Sequence, residues 1–517
     1  MSVLKVSNVS FSFGNRTILE DASFVMHKGE HIGLIGMNGE GKSTFIKMIT
    51  GSLTPDAGKI EWCKRITTGY LDQYSSLTRG KTIRDVLREA FSYMYDLEKE
   101  IMDMYEKMGS ASDDEINKML EEIGEIQSEL EHNGFYELDS KIEEVASGLG
   151  LQEIGLDRDV EELSGGQRAK VLLTKLLLAK PMILILDEPT NFLDEDQVNW
   201  LQRYLENYEN AFILVSHDMP FLNSVVNVIY HMEDGILTRY TGNYDKFMEM
   251  YELKKKHQNI AYEKQQKEIQ KLETFIAKNK ARVATSNLAK SKQRILDKME
   301  IIDKAKEQVK PTFNFQKANS SGKFVVDCRD LVTGYDTPLS KPFDLVIERG
   351  KKVAIRGANG IGKSTLLKTM LGLIKPLSGT VQLDYNIKYG YFEQEAVMLD
   401  KTALDYFWSF YPYLTNAEVR GMLAAVGLTK DKIESLMMVL SGGEAAKVRL
   451  AILCNQETNT LILDEPTNHL DVLAKEALKD ALKAYKGTII LVCHEKEFYE
   501  DIVDEIIDAE KWTTKII

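Results

Sequence analysis

One glycine-rich stretch occurs twice in this 517-residue chain, and the spacing of the motifs behind it constrains the fold more than any other feature. Gly36-Met-Asn38-Gly39-Glu-Gly41-Lys42-Ser43-Thr44 returns as Gly357-Ala-Asn359-Gly360-Ile-Gly362-Lys363-Ser364-Thr365, 321 residues later. Tyr70-Leu-Asp-Gln73 returns as Tyr391-Phe-Glu-Gln394 at the same offset. Leu163-Ser164-Gly-Gly166-Gln167 and Leu440-Ser441-Gly-Gly443-Glu444 stand 277 apart instead. So do Asp187-Glu188-Pro-Thr-Asn191 and Asp464-Glu465-Pro-Thr-Asn468, and likewise Ser216-His217 and Cys493-His494. A module has been duplicated, and its first copy carries 44 extra residues between Gln73 and Ser164.

Within each copy, apolar runs alternate with helical patterns. Ile32-Gly-Leu-Ile35 leads into the glycine loop and then a helical stretch over Ser43–Ile49. Met182–Leu186 and Phe212–Val215 are continuous apolar runs, as strands covered on both faces of a parallel sheet require. The pattern predicts an α/β fold with helices on both faces of each sheet.

A GxxxxGK[ST] loop between a strand and a helix offers a cradle of backbone N–H groups to phosphates. Lys42 and Lys363 are then expected to meet the β/γ-phosphates, with the Ser43 and Ser364 hydroxyls on Mg²⁺. Asp187 and Asp464 end apolar strands, where a carboxylate can hold the metal's water shell. Glu188 and Glu465 beside them can polarise an attacking water. The distances Ser164 to Glu188 and Ser441 to Glu465 are both 24 residues, and Glu to His is 29 in both copies. An accidental acidic strand exit would not repeat that spacing.

Composition removes several alternatives. A net charge of −14 argues against a surface that binds nucleic acid everywhere. Cys63, Cys328, Cys454 and Cys493 are scattered without a CxxC pair, which disfavours a zinc ribbon, a cysteine-held cluster or a disulfide scaffold. No apolar run reaches the ~18–20 residues of a membrane span, and the start of the chain shows no secretory pattern. A cytoplasmic protein is expected.

Outside the two modules, charge is segregated. Residues 96–144 hold 17 acidic and 4 basic side chains. Leu97, Ile101, Met104 and Met108, then Ile116, Leu120, Ile123, Ile126 and Leu130, follow helical spacing. Ser112-Asp-Asp-Glu115 reads as a capping box restarting the helix after Gly109-Ser-Ala. This predicts a helical hairpin, an arm over about 84–150 whose apolar stripe is its own seam. Residues 253–310 reverse the sign, with 16 Lys/Arg against 7 Asp/Glu. Ile269, Leu272 and Ile276 mark one helix; Leu288, Ile295, Met299 and Ile302 mark a second. Between Thr274 and Leu296 stand Lys278, Lys280, Arg282, Lys290, Lys292 and Arg294 with no acid among them. A helix of ~30 residues spans ~45 Å, so this pair reads as a projection with a cationic tip suited to a phosphate-lined partner.

Glycine loop, LSGGQ/E, DEPTN, the lone Gln and the final His, in that order, resemble the ATP-binding cassette family. The resemblance implies ATP as ligand and two cassettes stacked head to tail within one monomeric chain. Ser441 and Gly443 would then complete the site on Lys42, and Ser164 and Gly166 the site on Lys363. It also implies catalytic roles for Gln73, Gln394, His217 and His494, and adenine stacking by Phe13 and Tyr335. Two cassettes without a membrane span, an arm and a charged linker are similar to the family-F members, over essentially the whole chain. That implies cassettes at 1–242 and 324–517 and a linker at 243–323 resembling the P-site tRNA interaction motif. It implies binding at the ribosomal exit site, with large-subunit rRNA and proteins and the peptidyl-tRNA as partners, in housekeeping translation or in protection from antibiotics. Phe192 stands where the family carries a His, as His469 does in the second copy; that departure touches the symmetry of the two sites. The competing readings are an importer's tandem ATPase subunit, which predicts a short featureless linker, and a nucleic-acid scaffold clamped by ATP.

Overall fold

The computed structural model describes the chain apart from residues 1, 15, 65, 72–79, 109–111, 280–285, 300–309, 394–399, 469 and 515–517. Gln73, Gln394, Lys280, Arg282 and His469 therefore lie outside the described residues. The chain divides into two compact units, Met1–Arg239 with Lys310–Ile517, and Tyr240–Val309.

The larger unit holds both copies of the repeat, and each is α/β. The first builds a six-stranded sheet in the order Thr68–Leu71, Ile183–Asp187, Ala211–Val215, His31–Ile35, Val228–Glu233, Ile236–Thr241. The second repeats the order Tyr389–Phe392, Thr460–Asp464, Thr488–Val492, Lys352–Arg356, Glu505–Asp508. The shared central strands pair in parallel, and Asp187 lies opposite Val215 as Asp464 lies opposite Val492. Parallel pairing gathers the carboxyl ends of the strands along one edge of the sheet, where ligands of open α/β sheets bind. The glycine loops, the DEPTN segments and the His residues all leave the sheet on that edge. Each copy adds a three-stranded antiparallel sheet: Arg16–His27, Ser2–Phe13, Ala57–Trp62 in one, and Phe343–Glu348, Phe324–Val332, Ser378–Leu383 in the other. In the first copy Phe24, Phe45, Ile46, Ile185 and Ile213 form one buried core between the two sheets.

The 44 extra residues are accounted for by an arm. Helices Ser92–Met108 and Asp113–His132 pack together around Ile101, Met104, Ile123 and Leu130, all buried. The expected seam thus closes on itself, except that Leu120 stays half exposed. The Ser112 N–H donates to the Glu115 carboxylate at 2.9 Å, half of a capping box. Residues 310–323, which the family resemblance puts in the linker, contain no helix; Phe313 and Phe315 enter the core of the second copy.

The smaller unit is helical. Tyr244–Asn279 is a 36-residue helix, ~54 Å long, and Ser286–Asp297 packs on it. Lys278, Lys290 and Arg294 are exposed and Lys292 is half-buried.

Candidate functional site

Each glycine loop turns from a strand into a helix, Lys42–Ile49 or Lys363–Met370. The turn demands glycine at Gly41, whose φ is +107° and whose Cβ would stand 2.3 Å from the Ile18 side chain. Lys42 curls back so that Nζ donates to the carbonyls of Gly36 (2.7 Å) and Met37 (3.1 Å). Lys363 does the same with Gly357 (2.7 Å) and Ala358 (2.9 Å). Both ammoniums point into the concavity that the loop amides enclose. Burial lowers both pKa values, and nearby carboxylates, led by Glu188 and Glu465 respectively, oppose it.

Ser43 Oγ donates to Asp187 at 3.0 Å, so the hydroxyl and the strand-end carboxylate share one spot. In the second copy both Asp464 oxygens are buried, and burial raises the carboxyl's pKa while the Ser364 hydroxyl opposes the rise. Hard oxygen donors, some of them buried, beside a phosphate cradle are the set that suits Mg²⁺, which takes few protein ligands and keeps phosphate oxygens and waters.

Glu188 and Glu465 hold left-handed backbone, φ +50° and +49°, a costly conformation for a residue with a Cβ. Each is pinned there by its N–H donating across the sheet, to Val215 and Val492, at 2.9 Å in both copies. Burial pushes both carboxyls up to about 8, assisted by Asp187 for Glu188; for Glu465, Lys363 opposes and Asp464 adds to the rise. The histidines differ between copies. His217 Nε2 meets Asn38 Oδ1 at 2.9 Å and stands 3.6 Å from Glu188 Oε1, while the His217 backbone N–H donates to Glu188 Oε2 at 3.3 Å. His494 Nε2 instead meets Lys363 Nζ at 3.1 Å and stands 3.2 Å from Glu465 Oε1.

The two copies face one another. Asn359 of the second glycine loop donates to the Phe192 carbonyl of the first copy at 3.2 Å. A cavity of about 1520 Å³ lies between them, lined by Ser164 and Gly166 from the first copy and by Asn359, Gly360, Glu465 and His494 from the second. Ser164 and Gly166 of the first signature thus line one cavity with Asn359 and Gly360 of the second loop. The cavity does not take in Ser441 or Gly443; cassette contact at the first loop shows instead in Asp471, which acts on Lys42. Ser164 and Ser441 cap their helices, Gly165–Ala179 and Gly442–Asn455, with the side chain of Gln167 or Glu444 closing a capping box. Phe13 and Tyr335 end antiparallel strands or come just after them and are exposed, open to a stacked base. Thr44 and Thr365 lie in the first helical turn after each loop.

Three features escaped the sequence reading. Glu40 in the first loop is pushed up to about 7 by burial, with Lys42 opposing and Glu233 and Asp234 adding; its counterpart is Ile361, which is buried and apolar. Lys447 pairs with Asp471 at 2.6 Å, whereas Lys170 of the first copy donates to Gln197 at 2.6 Å. Lys475 and Glu495 form a third pair, at the cavity wall. A charge difference between aligned positions signals Glu40, opposite Ile361, and Lys475, opposite Val198; none signals Lys447, since Lys447 and Asp471 match Lys170 and Asp194.

A family model described as ABC transporter matches residues 19–191 and 340–468, and a second model of that description matches 230–315. The chain is 57% identical to an uncharacterized ABC transporter ATP-binding protein, YfmM, of Bacillus subtilis, over the whole of both chains. It is 35% identical to ABC transporter F family member 2 of Arabidopsis thaliana, over 98% of this chain and 76% of that one. With the probable ATP-binding protein YbiT of Escherichia coli it shares 32% identity over 98% of this chain and 96% of the relative. Among solved structures, an archaeal ribosome recycling factor, aABCE1, in complex with the ribosomal stalk protein aP1 matches 97% of this chain and 87% of its own with TM-score 0.59. At 19% identity that likeness concerns the fold.

Proposed function

Because this chain belongs to the ATP-binding cassette proteins, and among them to family F, and is an ATPase by its cassettes, we propose that it binds the ribosome and lets ATP control that binding. The carrying observation is one chain pairing two full sets of glycine-loop, LSGGQ/E and DEPTN motifs with one cationic helical pair. The cassettes are read as 1–242 and 310–517, joined by the linker 243–309. ATP bound between apposed cassettes favours the shape that enters the exit site. The linker tip, through Lys278, Lys280, Arg282, Lys290, Lys292 and Arg294, then meets rRNA and the peptidyl-tRNA phosphates. Glu188 and Glu465 orient water toward the γ-phosphate, and His217 and His494 hold them. The family's lone Gln, Gln73 or Gln394, completes each set. Mg²⁺ on Ser43 with Asp187, and on Ser364 with Asp464, would supply compensation of phosphate charge. Hydrolysis removes the bridge between cassettes and lowers ribosome affinity, which is linkage between the two ligands. Among the described residues no helix is long and apolar enough to cross a membrane, and the linker is not the short spacer an importer subunit needs.

The test is E188Q/E465Q with ATP, followed by co-sedimentation with ribosomes. Retention on ribosomes, reversed when ATP is omitted, is expected; sedimentation with membranes and not ribosomes would replace this reading by the importer one.

A further inference from the structure

Lys475 sits on helix Val472–Ala484 of the second copy, just past the Asp471 that caps it. Its ammonium donates to both oxygens of Glu495, at 2.8 and 2.9 Å. Glu495 comes directly after His494, so this pair braces the loop that carries the second copy's histidine. Both side chains line the cavity between the copies, together with Glu188, His217 and Asp218 of the first. Burial acts to strip Lys475 of its proton, but Glu495, Glu188 and Asp218 outweigh it and hold its pKa above the ordinary lysine value. The influence is mutual, since Lys475 is among the cations that pull Glu188 down.

The internal repeat makes the arrangement informative. The 277-residue offset matches Glu495 with Asp218, an acid with an acid, but matches Lys475 with Val198. Val198 lines the same cavity. The interface thus has carboxylates on both sides, while three lysines of the second copy that line the cavity, Lys475, Lys479 and Lys496, match the uncharged Val198, Gln202 and Met219 of the first; of the three, Lys475 is the one that acts on Glu188. Glu188 has an ammonium from the opposite copy acting on it, and the matched position in the first copy is apolar.

We propose that Lys475 is a positioning residue for the first ATP site, acting from the opposite cassette, and that it makes turnover at that site depend on the loop carrying His494. When the cassettes are apposed, the ammonium compensates the negative charge of Glu188 and Asp218 next to an anionic nucleotide; when they part, it leaves with Glu495. The cation therefore belongs to the first site only in the closed arrangement, which ties hydrolysis there to closure. In the second site the matched position is the apolar Val198, and the cation that the opposite copy supplies is Lys170, which acts on His494, so the two sites are inequivalent in their response to closure.

The inference rests on reading Glu188 and Glu465 as the water-orienting carboxylates, and the experiment separates the two claims. E465Q leaves the first site competent, E188Q the second, and E188Q/E465Q neither; turnover in the double variant equal to that of the native chain would overturn that reading and this inference with it. K475M is then placed in each single background. Single-turnover hydrolysis per bound nucleotide reads each site even where steady-state turnover couples them. In E465Q the rate should fall about five-fold or more with ATP affinity shifted less than about two-fold, and K475R should restore most of it. In E188Q the fall should stay under about two-fold. Equal losses in both backgrounds, or a loss of ATP affinity alone, would mean that Lys475 merely packs the interface, and the inference would be wrong.

Discussion

The imidazole of His494 meets the ammonium of Lys363 at 3.1 Å, whereas its counterpart His217 turns to Asn38 of its own glycine loop. An ammonium beside a buried ring nitrogen disfavours a charge on His494. Burial, with Lys363 and Lys170 behind it, pulls its pKa down to about 3. Lys170 comes from the other copy, so cassette apposition itself helps to keep this histidine uncharged.

This neutrality makes stability depend on pH. The unfolded histidine takes up a proton near its ordinary value of 6.5 and the folded one only near 3, so the unfolded chain binds more protons in between. The contribution is intact above 6.5 and is lost as pH falls toward 3. H494Q should therefore lose about 1–2 kcal/mol less than the native chain on acidification from roughly pH 7 to pH 5. Urea midpoints at the two pH values measure it; parallel losses would show that His494 is not held neutral.

Glu40 has the opposite sign. Its folded pKa of about 7 lies above the ordinary 4.5, so the stability it contributes is present below 4.5 and is lost as pH rises through 7. E40Q removes the buried charge. Because the side chain is partly solvated, the gain should be only about 1–2 kcal/mol near pH 8, and no gain is expected near pH 4. An acid inside a loop that cradles phosphates also repels them, so E40Q should tighten ATP binding to the first site at pH 8 by several-fold. Isothermal titration on the E465Q background checks the second part.

Much of this was legible before any coordinates. Two offsets, 321 and 277, located the duplicated fold and its insertion because loop, strand end and helix cap each need particular residue types at fixed spacing. Asp187, Glu188 and His217 were readable for the same reason: they occupy the ends of parallel strands. The rest depends on which surfaces meet. Nothing in the order of residues says that Asn359 reaches the Phe192 carbonyl or that Lys475 faces Glu188. The strain at Glu188 and Glu465 is equally silent, since glutamate does not announce a left-handed backbone. Phe313 and Phe315 lie beyond the charged stretch that ends at residue 310, yet inside the linker bounds that the resemblance implies, and it is these two aromatics that decide where the chain docks.

The arm offers a local test of packing. Ile123 is 3% exposed in a small cluster with Ile101, Met104 and Leu130. Removing its side chain leaves a cavity that two helices with few other neighbours fill poorly. I123A should destabilise the hairpin by about 2–4 kcal/mol, and limited proteolysis between residues 92 and 132 should accelerate while ATP turnover of the isolated protein persists. L120A, at a half-exposed position, should change protection little. Equal sensitivity at the two positions would mean that Leu120 is covered by something the hairpin does not supply.

The cationic tip makes the last prediction, and salt is the sharper instrument for it than affinity alone. Each lysine or arginine that neutralises a phosphate releases counterions, so affinity falls with salt along a slope proportional to the number of phosphates neutralised. Lys278, Lys290 and Arg294 are exposed on two helices and have no acidic neighbour in sequence between Thr274 and Leu296. Replacing all three by Gln should weaken ribosome binding and flatten the log–log salt slope by about 0.7–0.9 for each phosphate no longer neutralised. The acidic arm gives the contrast: replacing Glu121, Glu122 and Glu125 by Gln removes three charges of the other sign from an exposed helix face and should leave the slope unchanged or steepen it. If the basic triple variant binds more weakly with an unaltered slope, the tip touches protein and does not meet nucleic acid.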